Sequence, residues 1–444
     1  MKKDIKILFF SCTARAFRTT LVGHLYEITK NFPVVLLSEK LDEETEKIIQ
    51  DKNKFPKLEK IVQVDVINSS KLELFSRRNR NFYKLAKQIF EQEKPDIVIT
   101  SSDTHSLFEI YLNRLGKRYG AINVVLEATC QVTDIKKLAK WFDLSNAYLR
   151  FPSFLPMNLK ILLVGFRKFF GHFLYYWIFP LTIGEKPFWG KASHILRIGN
   201  SGMRDSDYQL VFSKRDYNIH LKDGVFAKKL YILPHPLETN TRDFLKNNFI
   251  NKTDNYVNKK FILLVLPDIE IGFKDNGYSL IPKNQRIDEW VDICDLVAKT
   301  FPEHDILLKP HPNTDPFIKD LEDSLLKLNN ERIKIVDGQN PVDKYIETSD
   351  MIIGLPVSIS TTLFTAHIQC PDKRIISINF DEELLGNHYK DFEGIEYIDD
   401  KKKFIQRLHE IKEQGFLCVH SKIGLKDNVI VDLLIKFLKD KNTI

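Results

Sequence analysis

Short β-branched runs alternate with amphipathic helical stretches along most of this chain, and that alternation restricts the fold more than any single motif does. In the first half a strand over Lys6–Phe10 precedes a helix over Thr19–Lys30, and a strand over Val34–Leu37 follows. A helix over Phe82–Gln92 then leads into a strand over Asp96–Thr100. Strands spaced by helices form parallel βαβ units, because only a crossover returns the chain to the same end of the sheet. The rhythm resumes at Leu210–Ser213 and Lys229–Leu233 and continues at Phe261–Leu266, Asp305–Leu308, Ile333–Val336, Met351–Ile353 and Arg374–Asn379. Between them, Trp290, Ile293 and Val297 recur at helical spacing behind Asp288 and Glu289, read as the acidic first turn of a helix. Asn340 and Pro341 read as the cap and first residue of another helix, with Val342, Tyr345 and Ile346 on its buried face.

A chain of 444 residues exceeds one comfortable core and divides naturally into two. The expected fold class is α/β, two Rossmann-like doubly wound domains facing a cleft. Residues 1–240 form the first domain, with an aromatic and basic insertion at about 135–200. Residues 241–425 form the second, and a helix in 426–444 packs back on the first. The polar, Asn- and Lys-rich stretch Glu238–Lys260 reads as the linker.

The insertion carries Phe166-Arg167-Lys168-Phe169-Phe170 and Phe173–Phe179, and Arg167, Lys168, His172 and Pro180 interrupt it too soon for a spanning helix. Its two readings are an interfacial segment lying on lipid and a buried helical insertion. The five cysteines are widely spaced with no Cys-x-x-Cys pair, which argues against a disulfide framework or a zinc site and suits a reducing cytoplasm. The start of the chain reads as a first buried strand rather than a secretory signal. The net charge of +7 suits anionic substrates or an anionic inner-membrane surface and does not single out nucleic acid.

Two motifs carry the chemistry. Lys309-Pro310-His311-Pro312 stands at the carboxyl end of a strand, where an ammonium and an imidazole can hold a phosphate and the prolines fix the backbone direction. Gly354 ends the next buried strand but one, and Ser358, Ser360, Thr361 and Thr362 follow where a helix starts and its N–H groups point outward. The simpler accounts are a turn with an incidental histidine and ordinary N-capping. In the first half, Asp103 and Glu127 follow strands and are the candidate general bases. The loop after the first strand lacks the glycines of a dinucleotide fingerprint, but its Arg15 and Arg18 suit an anionic acceptor. Pro234-His235-Pro236 reads as a rigid turn, and no HExxH, Walker A or GxSxG motif is present.

With those two motifs in that order, the chain resembles bacterial surface-polysaccharide transferases of the glycosyltransferase B fold, especially polysialyltransferase-like and capsule-type Kdo transferases. The resemblance implies that Lys309, His311, Pro312, Gly354 and Ser358–Thr362 contact the donor's nucleotide phosphate. It also implies that Glu127 takes the place of the family's catalytic acid, although the second acid and the glycine of that motif are missing from Glu127-Ala128-Thr129. The expected activity is transfer of a CMP-activated acidic sugar to a surface glycan or glycolipid, without metal or cofactor, by a cytoplasmic enzyme resting on the inner membrane. The alternatives are a glycerophosphotransferase or UDP-sugar transferase, a sugar-nucleotide 2-epimerase, and a non-catalytic glycan assembly protein.

Overall fold

The structure is a computed structural model that describes residues 5–11, 17–38, 41–64, 77–102, 107–127, 151–152, 154–173, 205–222, 224–250, 260–266, 272–273, 280–281, 283–310, 315–338, 342–355, 362–380, 392, 394–416 and 429–442. Contacts divide the chain into two compact units: 1–130 with 158–249 and 425–444, and 131–157 with 250–424.

The first unit is built on a seven-stranded sheet. In chain order it comprises β1 (Ile7–Ser11), helix α1 (Val22–Asn31), β2 (Val34–Ser38), α2 (Glu43–Gln50), β3 (Leu58–Gln63) and α3 (Arg77–Glu93). It continues with β4 (Ile97–Thr100), α4 (Leu107–Tyr119), β5 (Ile122–Leu126), α5 (Met157–Phe173), β6 (Tyr208–Val211), α6 (Lys214–Lys222) and β7 (Leu230–Ile232). The spatial order is β3-β2-β1-β4-β5-β6-β7, every pair parallel. β1, β2, β4 and β5 are buried along their whole length, which is why they read as mostly apolar runs: both faces need apolar cover.

Alternate strand residues choose the face. Leu8 and Phe10, Val35 and Leu37, and Val98 pack with Phe82, Ala86 and Phe90 of α3 and with Phe108, Tyr111 and Leu115 of α4. The Phe10 and Phe108 rings meet at 5.3 Å. β3 lies at the edge, half exposed and carrying charge, so its sequence lacks the apolar signal that marks the central strands.

The stretch from Glu238 that reads as a linker is helical over its part from Arg242 to Ile250, through α7 (Arg242–Leu245) and a π-helical turn over Lys246–Ile250. Its few apolar residues anchor it: Phe244 stacks on Tyr26 of α1 with ring centroids 4.0 Å apart, and Leu245 and Phe249 are buried. Close approach here depends on Gly23 of α1, where a β-carbon would stand 2.5 Å from Cβ of Pro236. A proline ring cannot swing aside, so Gly23→Ala is expected to destabilise the protein by roughly 1–3 kcal/mol, measured by urea denaturation.

The second unit contains β8 (Phe261–Val265), a short antiparallel pair β9 (Gly272–Phe273) and β10 (Leu280–Ile281), α8 (Lys283–Thr300), β11 (Asp305–Lys309), α9 (Asp315–Leu326) and β12 (Ile333–Ile335). α10 (Asp343–Thr348), β13 (Met351–Gly354), α11 (Thr362–Gln369), β14 (Arg374–Ile378), β15 (Glu396–Ile398) and α12 (Lys401–Gln414) complete it. Its parallel sheet has the order β12-β11-β8-β13-β14-β15. Trp290, Ile293 and Val297 are buried on α8 as the spacing implies, but α8 begins at Lys283, so Asp288 and Glu289 lie past its first turn. Arg332 caps the end of α8, donating to the carbonyls of Ala298, Phe301 and His304. Val342, Tyr345 and Ile346 are buried at α10, whereas Asn340 and Pro341 lie outside the described residues. The last helix, α13 (Val429–Asn442), belongs to the first unit, where Phe437 stacks on Tyr208 at 3.7 Å and meets Tyr231 edge-on at 5.0 Å.

Candidate functional site

In the second sheet the chain leaves β8 in one direction to β11 and β12, then returns to the other side of β8 for β13, β14 and β15. The order therefore reverses at β8, and ligands of open parallel sheets settle beyond the carboxyl ends at such a point. Lys309 of β11 pairs in register with Val265 of β8, and Val265 pairs with Gly354 of β13. Lys309 and Gly354, 45 residues apart in sequence, thus stand in one row on opposite sides of β8, with about 10 Å between their backbones at normal strand spacing.

The Lys309 side chain is buried, and its ammonium donates to the carbonyls of Pro310 at 2.9 Å and Gly338 at 2.7 Å. It ties Pro310, just after β11, to the turn after β12. Gly354 leaves room for Leu363, whose Cδ1 would stand 2.5 Å from a β-carbon there. That contact seats the first turn of α11, and with it Thr362, close to the end of β13. Thr362 is buried as the first residue of α11. His311, Pro312, Ser358, Ser360 and Thr361 lie outside the described residues.

In the first unit Glu127 follows β5 and is buried, as the sequence alone does not indicate. Its backbone N–H continues the ladder to the Leu210 carbonyl at 3.1 Å. Its Oε1 accepts from the Gln209 amide at 3.1 Å and is in hydrogen-bond contact with Nε2 of His220. The ring nitrogen facing a carboxylate carries the proton, so Nε2 donates. Oε2 of Glu127 has no hydrogen-bond partner among the described residues.

Asp216 sits four residues before His220 on α6, on the same helical face. Its Oδ2 accepts from the Ser213 hydroxyl at 2.6 Å, while Ser213 Oγ accepts the Asp216 backbone N–H at 3.0 Å. Burial, followed by the nearby Glu127 carboxylate, pushes the Asp216 carboxyl up to about 7. An imidazole is thereby set among two carboxyl groups and one amide, a cluster able to hold and relay a proton.

Sequence reasoning singled out Glu127 but missed Gln209, Asp216 and His220. The available signal was Ser213-Lys214-Arg215-Asp216, the pattern of a capping box, followed by a histidine on the same face of the helix. The rival base Asp103 lies outside the described residues, as does Arg15. Before Asp103, the Ser101 hydroxyl donates to Glu109 at 2.6 Å and the Ser102 N–H to the same oxygen at 3.0 Å. Arg18 is half-buried, and its Nη2 donates to the Phe249 carbonyl at 3.3 Å.

A second buried group lies at the carboxyl end of this sheet. His24 on α1 and His235 before the 3-10 turn Pro236–Glu238 flank Phe212, with ring centroids 6.1 and 5.1 Å away. Burial lowers both imidazoles to about 3, and the neighbouring His235 lowers His24 further. Both His24 ring nitrogens lack a partner among the described residues, whereas Nδ1 of His235 accepts the Leu237 N–H at 3.3 Å. No group of three His, Cys, Asp or Glu side chains among the described residues is arranged to hold a metal.

No protein-family model matches the chain. No curated protein matches it by sequence either. Solved structures do resemble it along its full length. A UDP-GlcNAc 2-epimerase of Methanocaldococcus jannaschii, in complex with UDP-GlcNAc and UDP, superposes with a TM-score of 0.55 at 13% identity, covering 98% of this chain and 99% of that one. The corresponding enzyme of Rickettsia bellii gives 0.53 at 13% identity over 99% and 96% of the two chains. That of Neisseria meningitidis, bound to UDP-GlcNAc, gives 0.53 at 12% over 97% and 100%. At such identities the likeness is one of fold: two Rossmann-like units of the glycosyltransferase B type.

Proposed function

We propose that this protein is an enzyme acting on a nucleotide-activated sugar, with the nucleotide's phosphates held at the carboxyl edge of the second sheet. The observation that supports the reading is the shared row of Lys309, Val265 and Gly354, with Lys309 and Gly354 on either side of β8, where strand order reverses. Lys309 acts as a positioning residue for the loop bearing His311, and the start of α11 at Thr362 offers backbone N–H groups to the phosphates.

The nucleotide favoured is UDP, since the similar structures are UDP-GlcNAc 2-epimerases, two of them with UDP-GlcNAc bound. They support epimerisation of a UDP-sugar over transfer of a CMP-activated acidic sugar. Inverting a carbon that bears hydrogen requires removal of a proton and return of one to the opposite face. Glu127 is the proposed proton acceptor: Gln209 and His220 hold Oε1, and Oε2, buried and without a partner among the described residues, has a lone pair left to take a proton.

The second reading, glycosyl transfer, is favoured by the Lys309–Pro312 and Ser358–Thr362 motifs. The same carboxylate would then take the proton of the acceptor hydroxyl, while the nucleotide departs with the electrons of the anomeric C–O bond. The two readings separate on incubation with UDP-GlcNAc in heavy water without acceptor, followed by NMR. A second epimer with deuterium at the inverted carbon supports epimerisation, and UDP release only on adding a glycan supports transfer.

Thermal-shift titration with UDP, CDP, CMP and GDP tests the binding step. UDP is expected to stabilise the protein, and His311→Ala to weaken its binding about 10- to 100-fold, the effect of one hydrogen bond to a charged group. Stabilisation by none of the four nucleotides would overturn the donor site.

A further inference from the structure

α5 presents an apolar stripe to solvent. Leu159, Leu162, Phe166 and Phe170 are 40%, 67%, 67% and 50% exposed, and Phe154 just before the helix is 81% exposed. At 3.6 residues per turn the four helical positions fall within an arc of about 80° and extend along about 16 Å of the axis. Lys160 and Val164, on another side of the helix, are buried. The Phe166 and Phe170 rings lie parallel, 6° apart in plane with centroids at 6.4 Å, which makes the stripe a continuous surface.

The other exposed large apolar side chains among the described residues, Tyr119, Leu221, Phe226, Ile232, Leu326 and Ile435, form no such run along one helix. Charge along the sequence of this stretch is one-sided. From Leu144 to Gly184 there is no acidic residue in 41, where 59 in 444 would put about five, while Arg150, Lys160, Arg167 and Lys168 fall in this stretch. No helix among the described residues is long and apolar enough to cross a membrane.

We propose that α5 docks the protein on an anionic phospholipid surface, its axis in the plane of the headgroups and Leu162, Phe166 and Phe170 reaching the acyl boundary. An apolar face with aromatic rings, in a stretch of sequence whose only charged residues are basic, matches a negative lipid surface. A second copy of this chain would bring the same positive charge to the contact. This inference stands independently of the sugar-nucleotide reading.

The test is flotation of the full chain with vesicles of phosphatidylcholine alone or mixed with phosphatidylglycerol, at low and high salt. The protein is expected to float with the anionic vesicles at least about tenfold better than with neutral ones, and less at high salt as screening shortens the reach of charge. The double variant Leu162→Glu/Phe166→Glu is expected to stay behind with an unchanged melting temperature, because both side chains are exposed in the folded chain. Should that variant melt early, Phe166→Ser/Phe170→Ser makes the same test with smaller side chains and no added charge. Failure of the wild type to float with anionic vesicles, or flotation of a folded variant as strongly as the wild type, overturns the proposal. So does a variant that turns a dimer into a monomer on size-exclusion chromatography while flotation is unchanged, which would give this face to a second copy.

Discussion

Glu127→Gln is expected to lower turnover of the sugar nucleotide by about 100-fold or more, the usual scale for removing a general base, while leaving stability within about 1 kcal/mol. The amide is nearly the size of the carboxylate and its oxygen can still accept from Gln209 and His220, so the packing survives while the proton acceptor is lost. His220→Ala is expected to behave differently. It leaves the buried Glu127 carboxylate without its closest partner, which costs roughly 3–5 kcal/mol when a buried pair is broken. His220 is a positioning residue, and the readout that a purely structural role would not move is the pH profile. His220→Gln, which retains a donor, is expected to recover much of the stability but to shift the acidic limb of kcat/KM. A Glu127→Gln variant that turns over normally would remove Glu127 from the chemistry and leave it a buried structural carboxylate.

The second large effect concerns acid stability, where buried groups of opposite habit compete. His24 and His235 are lowered from 6.5 to about 3, so their contribution is full above pH 6.5 and is lost as pH falls toward 3. Asp216 is raised from 3.8 to about 7, so its contribution is present below pH 3.8 and is lost as pH rises through 7. Near pH 5 the unfolded chain binds two histidine protons that the folded chain excludes, and the folded chain keeps one on Asp216 that the unfolded chain has released. The balance of these three is one proton, so together they lower stability on acidification by about 1.4 kcal/mol per pH unit. His304, also lowered by burial, acts in the same direction as the other histidines.

Single variants resolve the balance. Asp216→Asn is expected to steepen the slope near pH 5 by about 1.4 kcal/mol per unit, and His24→Leu to flatten it by about the same amount. Urea denaturation between pH 5 and 8 measures both. Parallel slopes for wild type and Asp216→Asn would show that the Asp216 carboxyl is ionised in the folded protein across this range.

How much of this was legible beforehand follows from what each element needs. β1, β2, β5, β8, β11 and β13 announce themselves because strands covered on both faces must be mostly apolar. β3 and α2 escape a pattern reading because an edge strand buries only part of its surface and a short helix such as α2 buries only Thr45 and Ile49. The run after Glu238 reads as polar linker because only a few large residues, Phe244, Leu245 and Phe249 among them, hold it to α1. Lys309 and Gly354 were legible as motifs, because residue types that suit a phosphate stood at strand ends.

By itself the sequence determined the class of fold, since periodicity and the spacing of strands and helices are properties of consecutive residues. It also singled out the two motifs proposed to hold phosphate. Only the tertiary structure decided that Lys309 and Gly354 share a row across β8, because strand order and register come from pairings between distant segments. The same holds for Glu127. A carboxylate after a strand is visible in the sequence, but its burial against Gln209 and His220, more than 80 residues away, is set by β6 and α6 closing on β5. That burial gives the pair its energetic weight, because water no longer competes for the hydrogen bonds.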